Sequence, residues 1–425
     1  MTIEHPQQDD QGLKQNLEIR PKSSYLKPKL GMKERDCTTM PRQGFTGQKK
    51  LDKKGPSIPF SKFKHSALNY YPDVMEEFFE DIVEVATYQN DRLFLAGDGK
   101  KPIYPCLQIV AALIAGNRDP KAKIPYLGCN LYEDLEKFKP LSASELDSSI
   151  GCFKYIQRIE KRKIKDFNKD KITIISPRHH VVDLVMALFH DEEVSIICTN
   201  LGKGKLLFSE DKSIAQESGL YSKNPMTRKI CYSGFALEDK LTTSHEGKTG
   251  PFYSIVEGKL NDRITLLLRC EMDAYNPISE VYTELKCFAK LNVQENAHRR
   301  KLLKTWIQIG LIPHSDLIIG TRDTQVGQLN DLNWYTKDTL CRKFNNPSIP
   351  QNDRYFNFNA SIAVEWCYHC IESICELVMS NSGNSIDDPF PQIESFKITI
   401  DKLHNISVKK LTKVPKHVQV PGKYR

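Results

Sequence analysis

Between residues 263 and 287 the chain reads Arg-Ile-Thr-Leu-Leu-Leu-Arg-Cys-Glu-Met-Asp and, after a short polar break, Ser-Glu-Val-Tyr-Thr-Glu-Leu-Lys-Cys. Aliphatic and β-branched residues dominate both halves, and Asn276-Pro277 punctuates the break, so two strands joined by a turn are expected. Side chains alternate along a strand, which places Glu271 and Asp273 on one face of the first half and Glu284 and Lys286 on one face of the second. Pairing the two would gather three carboxylates and an ammonium. Carboxylates so close repel one another, and a fold tolerates them mainly when a divalent cation neutralises the cluster. The plain alternative is a solvated antiparallel hairpin with a charged outer face. Leu266, Leu267, Leu268, Met272, Val281 and Leu285 favour central, largely buried strands instead, where charge without a partner or metal is costly.

Few other stretches carry as much chemistry. With 425 residues the chain has length for one large domain or two ordinary ones. The apolar runs near Leu107 to Ala115 and Val181 to Phe189 are short of the roughly 18 residues that suggest a membrane span, so no membrane helix is expected. The N-terminus, Met-Thr-Ile-Glu-His-Pro, lacks the basic and apolar regions of a secretory signal. The 12 cysteines follow no dense spacing and read as free thiols of a reducing compartment, the cytoplasm with the nucleus as alternative. Residues 1–64 hold 14 Lys/Arg against 7 Asp/Glu, and residues 401–425 hold 7 against 1, leaving a net −5 between them. Basic ends suit a polyanion, although solubility alone would explain them. The expected organisation is a basic, disordered arm over 1–60, a single α/β catalytic domain over 61–400, and a basic tail over 401–425.

Along the chain, Met75, Phe78, Phe79, Ile82 and Val83 suggest a helix from Val74 to Val85, and Leu107 to Ala115 a second. Lys154 to Lys171 reads as a helix with a solvated basic face, or less readily an RNA-binding ridge. Lys171 to Ser176 reads as a strand, and Pro177-Arg178 leads into a helix, so that Arg178 sits at a helix N-terminus suited to a phosphate or a structural carboxylate. His179 and His180 read as core-edge or surface residues rather than metal ligands. Ile230 to Glu238 reads as a strand that would deliver a further carboxylate. Helices are expected over Ala297 to Ile309, ending near Gln308, and from an Asn359 N-cap onward, where Cys367-x-x-Cys370 lies on the apolar stripe as packing rather than a zinc site. Gly247-Lys248-Thr249 lacks the upstream glycine of a phosphate-binding loop, and Gly-x-Ser-x-Gly, His-Glu-x-x-His and Nudix patterns do not appear.

Asp273, ten intervening residues, then Glu284-Leu285-Lys286 matches the Asp-(x)n-Glu-x-Lys arrangement of metal-dependent nucleases. Together with Gly234-Phe235-Ala236-Leu237-Glu238, Glu271-Met272-Asp273, and the helix Lys301-Leu302-Leu303-Lys304-Thr305-Trp306-Ile307-Gln308, it resembles the eukaryotic DXO-type decapping exoribonucleases over roughly residues 170 to 380. The family's Trp-Arg-Gly motif is represented by Pro177-Arg178-His179, which keeps only the Arg. Phe252 to Val256 is similar to a family strand whose second residue, here Tyr253, faces substrate. The resemblance implies two packed mixed sheets flanked by helices around a cleft for the RNA 5′ end, capped or monophosphorylated. It implies one or two Mg²⁺ or Mn²⁺ ions on Glu238, Glu271, Asp273, Glu284 and the Leu285 carbonyl. It further implies Lys286 on the attacking water or a phosphate, Arg178 on the 5′ phosphate, and Gln308 beside the metals. The rival readings are a non-catalytic partner that stabilises a separate 5′→3′ exoribonuclease, and a DNA nuclease; without such a partner the chain is expected to be a monomer.

Overall fold

The computed structural model describes residues 55–63, 77–99, 102–118, 123–139, 141–162, 171–212, 219–243, 251–344, 359–383 and 391–422. Most of the arm, the start of the expected 74–85 helix including Met75, residues 163–170 of the basic stretch and Gly247-Lys248-Thr249 lie outside them.

Two mixed sheets form the frame. The larger has the order β1-β14-β13-β5-β6-β4-β8-β7-β2-β3. Its strands are β1 (Ser57–Ile58), β2 (Asp81–Gln89), β3 (Arg92–Leu95), β4 (Ile172–Pro177), β5 (Val194–Asn200), β6 (Lys205–Glu210), β7 (Tyr253–Lys259), β8 (Ile264–Glu271), β13 (Glu394–Ile400) and β14 (Ile406–Lys410). The smaller sheet, β12-β11-β10-β9, contains β9 (Ala274–Asn276), β10 (Val281–Phe288), β11 (Ser315–Arg322) and β12 (Leu329–Tyr335). In the helical layers are α1 (Val110–Arg118), α2 (Ala143–Leu146), α3 (Ile150–Arg162), α4 (Arg178–Met186), α5 (Pro225–Leu241), α6 (Asn296–Gly310), α7 (Lys337–Phe344) and α8 (Ala360–Asn381).

β4, β6 and β8 are adjacent in the middle of the large sheet, with β4 parallel to both neighbours. β8 accordingly reads as a continuous apolar run, the pattern of a strand covered on both faces. On one face, α4, α6 and α8 close the main core around Trp306 and Trp366. On the other, α3 packs Cys152, Phe153, Ile156 and Ile159 against Ile175, Ile255 and Leu267. The small sheet faces the main core through Tyr282, Leu317 and Ile319, and faces α1 and α5 through Leu285, Ile318 and Leu332.

Several expectations are corrected here. β8 and β10 do not pair with each other; the chain leaves the large sheet after Glu271 and enters the small one at Ala274, so the hairpin at Asn276-Pro277 joins β9 to β10. Ile230 to Glu238 is not a strand but the middle of α5, capped by Asn224, whose side chain accepts from the Met226 and Thr227 amides, with Pro225 in the first turn. Its buried residues Tyr232, Ser233, Ala236, Leu237 and Leu241 follow helical spacing. The expected helix to Val85 gives way to β2 from Asp81, where Ile, Val, Thr and Tyr favour a sheet.

The C-terminal segment is no separate tail. β14 pairs with β13 and with β1, and Val418 and Val420 are buried beside Leu201, Ile197 and Leu207. Arg178 does begin α4, Asn359 does cap α8, and Cys367 and Cys370 are buried free thiols in the core, pushed up by burial. Deleting residues 402–425 removes Ile406, Val408, Val418 and Val420 from the core. At about 1.5–3 kcal/mol for each buried aliphatic, that loss rivals a whole domain's net stability of about 5–15 kcal/mol. The truncated protein should therefore lack a cooperative thermal transition; an unaltered melting profile would contradict this assignment.

Candidate active site

The ends of several elements meet in one cleft of ≈ 470 Å³ at the junction of the two sheets, lined among others by Arg178, His179, Glu238, Arg269, Glu271, Asp273, Glu284, Lys286 and Gln308. Glu271 is the last residue of β8, and Asp273 lies in the two-residue crossing to β9. Glu284 and Lys286, two apart on β10, share the face that Tyr282 turns to the main core, so alternation aims both between the sheets. α5 supplies Glu238, α6 supplies Gln308, and the first turn of α4 supplies Arg178 and His179.

Register explains how Asp273 and Leu285 come together. β9 ends at Ala274 opposite Thr283, so β10 runs on past its partner, and the Leu285 amide donates to Asp273 Oδ2 at 2.8 Å. In a strand, a residue's N–H and C=O point to the same side, so the Leu285 carbonyl lies along the edge that faces the acids.

Arg178 is the main cationic anchor. Its Nη2 lies 3.0 Å from Glu284 Oε2 and donates to the Glu271 carbonyl at 3.3 Å, while Nη1 donates to the Gln308 carbonyl at 3.2 Å. One guanidinium thus ties α4, α6, β8 and β10 together. Arg178 is a carboxylate partner that also lines the cleft. Lys286 Nζ reaches Glu284 Oε1 at 2.5 Å and Asp273 Oδ2 at 3.8 Å.

These partners divide the acids. Burial alone would raise the Glu284 carboxyl, but Arg178 and Lys286 outweigh it and hold it below the ordinary range. For Asp273, burial and the adjacent Glu284 dominate and lift the carboxyl to about 7. Glu238 is pushed well up by burial and by Asp273, and Glu271 is raised chiefly by burial. Four acids therefore face two close cations, Arg178 and Lys286, with Arg269 farther along β8. The surplus negative charge, offered by hard oxygen donors, is what Mg²⁺ or Mn²⁺ prefers. Glu238, Glu271, Asp273, Glu284 and the Leu285 carbonyl fit a divalent cation.

Tyr253 lies one layer behind the cleft. It is buried in β7 opposite Glu271, its ring lies 4.4 Å from the Arg269 guanidinium, and it does not line the cleft. Arg269 was not singled out from the sequence, although alternation places it on the same strand face as Glu271. It donates through Nη1 to the Glu145 carbonyl at 2.9 Å and through Nη2 to the Leu146 carbonyl, fixing one wall. Asp147 on that wall accepts the Glu210 amide at 3.1 Å and shares a 2.6 Å hydrogen bond with buried His180 Nε2. Asp147, His179 and His180 bring potential ligand atoms within 4.8 Å of one another. Their nitrogen-rich set suits an oxygen-seeking ion less well than the acids do, and His180 is already engaged by Asp147. A separate ≈ 390 Å³ cavity against β11 and β12 presents Lys290, Arg322 and Lys343 with a single carboxylate, Asp331.

Comparison with known proteins agrees with this geometry. The family model described as RAI1 like PD-(D/E)XK nuclease matches residues 117–425. The chain is 41% identical to Decapping and exoribonuclease protein 1 of Saccharomyces cerevisiae, over 96% of this chain and 94% of that protein. It is 32% identical to the Kluyveromyces lactis protein of the same name, over 85% and 90%. The crystal structure of K. lactis Dxo1 in complex with manganese superposes with a TM-score of 0.63 at 28% identity, covering 84% of this chain and 96% of that one.

Two outcomes follow from the electrostatics. Replacing Arg178 with Ala leaves buried Glu284 with Lys286 as its one remaining cation, which should cost up to about 3–5 kcal/mol and lower the unfolding midpoint, with partial recovery in Arg178→Lys. Because Asp273 holds a proton up to about pH 7 and a metal needs the carboxylate, Mn²⁺ affinity should weaken as pH falls below about 7. Calorimetric titration should show proton release in that range, and Asp273→Asn should weaken binding and reduce the release.

Proposed function

The chain belongs to the RAI1-like PD-(D/E)XK nuclease family, and from that premise we propose that it is a metal-dependent RNA 5′-end hydrolase. It removes incomplete or aberrant caps as the cap dinucleotide and degrades the resulting 5′-monophosphate RNA 5′→3′. The observation that carries this reading is the convergence of Glu238, Glu271, Asp273, Glu284 and Lys286 in one cleft. A divalent cation held by these carboxylates would supply Lewis-acid stabilisation of the scissile phosphate and help activate the attacking water.

The protein's own groups do the rest. Lys286, held between Glu284 and Asp273, presents its ammonium to a phosphate oxygen or to the attacking water. Gln308 orients water or a substrate group beside the acids. Arg178 keeps Glu284 charged and aimed, and from the cleft wall it faces the 5′ phosphate. Tyr253 acts from beneath, through Arg269.

A site that cuts a nucleotide-to-nucleotide phosphodiester acts on the first such bond after the triphosphate bridge, and its monophosphate product is again a substrate. A purely scaffolding role for a separate exoribonuclease would leave this acid cluster, costly to bury, without a purpose. The expected setting is the cytoplasm, with RNA as partner and the protein a monomer; the expected arm over 1–60 stops short of Ser57–Ile58, which belong to the large sheet.

Mass spectrometry of the small products from unmethylated capped RNA should show GpppN without GDP. Glu271→Gln should lose both decapping and degradation, to the level of chelated wild type, with its melting profile retained. Release of GDP, or loss of only one activity, would refute the shared site.

A further inference from the structure

The cleft has a second wall of a different character. Leu141, Leu146, Leu220, Tyr221 and Phe235 line the same cavity as the acids. Solvent reaches three of them, since Leu146, Tyr221 and Phe235 are 40%, 56% and 40% exposed. Apolar side chains gathered and left open beside a charged reaction site call for an apolar occupant.

The two rings are braced. The Tyr221 hydroxyl donates to the Leu141 carbonyl at 2.8 Å. Phe235 leans on Phe138 with ring centroids 4.7 Å apart, and Phe138 leans in turn on Tyr232 at 5.3 Å. Rings fixed in this way lose little freedom when a flat partner lies on them.

Gly234 supplies an independent observation. It sits inside α5, where glycine weakens a helix relative to alanine. A Cβ built there would meet nothing within 4 Å, so packing does not demand glycine. Gly234 precedes Glu238 by four residues and therefore shares its helix face. The missing side chain leaves bare helix backbone facing open space one turn from Glu238, as where a ligand lies close to the main chain. Farther out, exposed Arg228 stands seven residues before Phe235, on the same face and suited to a phosphate.

We infer that Gly234, Phe235 and Tyr221 form a nucleobase subsite, in which one base of the substrate lies over the bare helix at Gly234 and stacks on Phe235. The subsite rests on the hydrolase reading above and extends it, because stacking requires a base freed from a duplex and tolerates any base identity. The base can come from the RNA strand or from the cap.

Binding separates these sources and tests the subsite. With Asp273→Asn to suppress turnover, fluorescence anisotropy is measured on 5′-monophosphate RNA with an abasic nucleotide at each leading position in turn, and on the dinucleotide GpppG. Removing one base should weaken RNA binding about 5- to 150-fold at a single position, the range of base–aromatic stacking. Adding Phe235→Leu should erase that sensitivity, Phe235→Tyr should keep it, and Gly234→Leu should reproduce the loss by filling the gap. Sensitivity to Phe235→Leu on GpppG alone would assign the base to the cap. A flat abasic profile in a protein that binds RNA, with GpppG binding unaffected by Phe235→Leu, would overturn the subsite alone. Absence of RNA binding in Asp273→Asn and wild type alike would overturn the hydrolase reading and the subsite with it. Matching melting profiles exclude misfolding as the cause.

Discussion

Four carboxylates at one junction repel, and the fold is arranged around the two cations that contain them. Arg178 touches the Glu284 side chain and the main-chain carbonyls of Glu271 and Gln308, so elements far apart in sequence share one charge. Lys286 completes the balance from the same strand as Glu284. Because Arg178 and Lys286 hold Glu284 charged while Asp273 and Glu238 keep raised carboxyls, the cluster is asymmetric. One acid is ready as an anion, and its neighbours give up protons when a cation arrives.

How much of this was legible depended on whether the signal was local. Glu271, Asp273, Glu284 and Lys286 lie on or beside two apolar strands, and alternation alone gave their faces. Which sheet each strand joins was not legible, since the change of sheet at Met272-Asp273 depends on pairings with Pro105, Phe252 and the β11 strand. Ile230 to Glu238 was misread because a short apolar run carries no decisive period. The deciding signals, Asn224 and Pro225, stand several residues upstream. At the C-terminus, the exposed lysines at 409 and 410 masked the buried Ile406 and Val408 between which the strand alternates.

The cleft combines rigid parts of unlike origin. The large sheet provides Glu271 and Arg269, the small sheet Glu284 and Lys286, and the helices Arg178, Glu238 and Gln308. Tyr253 lies opposite Glu271 with its ring against the Arg269 guanidinium, so it meets the acids through the neighbouring strand. The alternation that predicts the faces of a strand does not say which face the helices or the other sheet leave uncovered.

The adjacency of β1 and β14 joins residues 57–58 to residues 406–407, nearly the whole length of the chain. Contacts so distant in sequence make folding slow, because the intervening chain must be ordered before they form. On a ribosome the large sheet cannot take its final edge until the last segment has emerged, long after the acid-bearing strands have been made. The unfinished chain therefore spends its synthesis as an open sheet with unpaired strand edges, the form most exposed to aggregation. Closure by the final strand is thus as much a step in the enzyme's biogenesis as a detail of its topology.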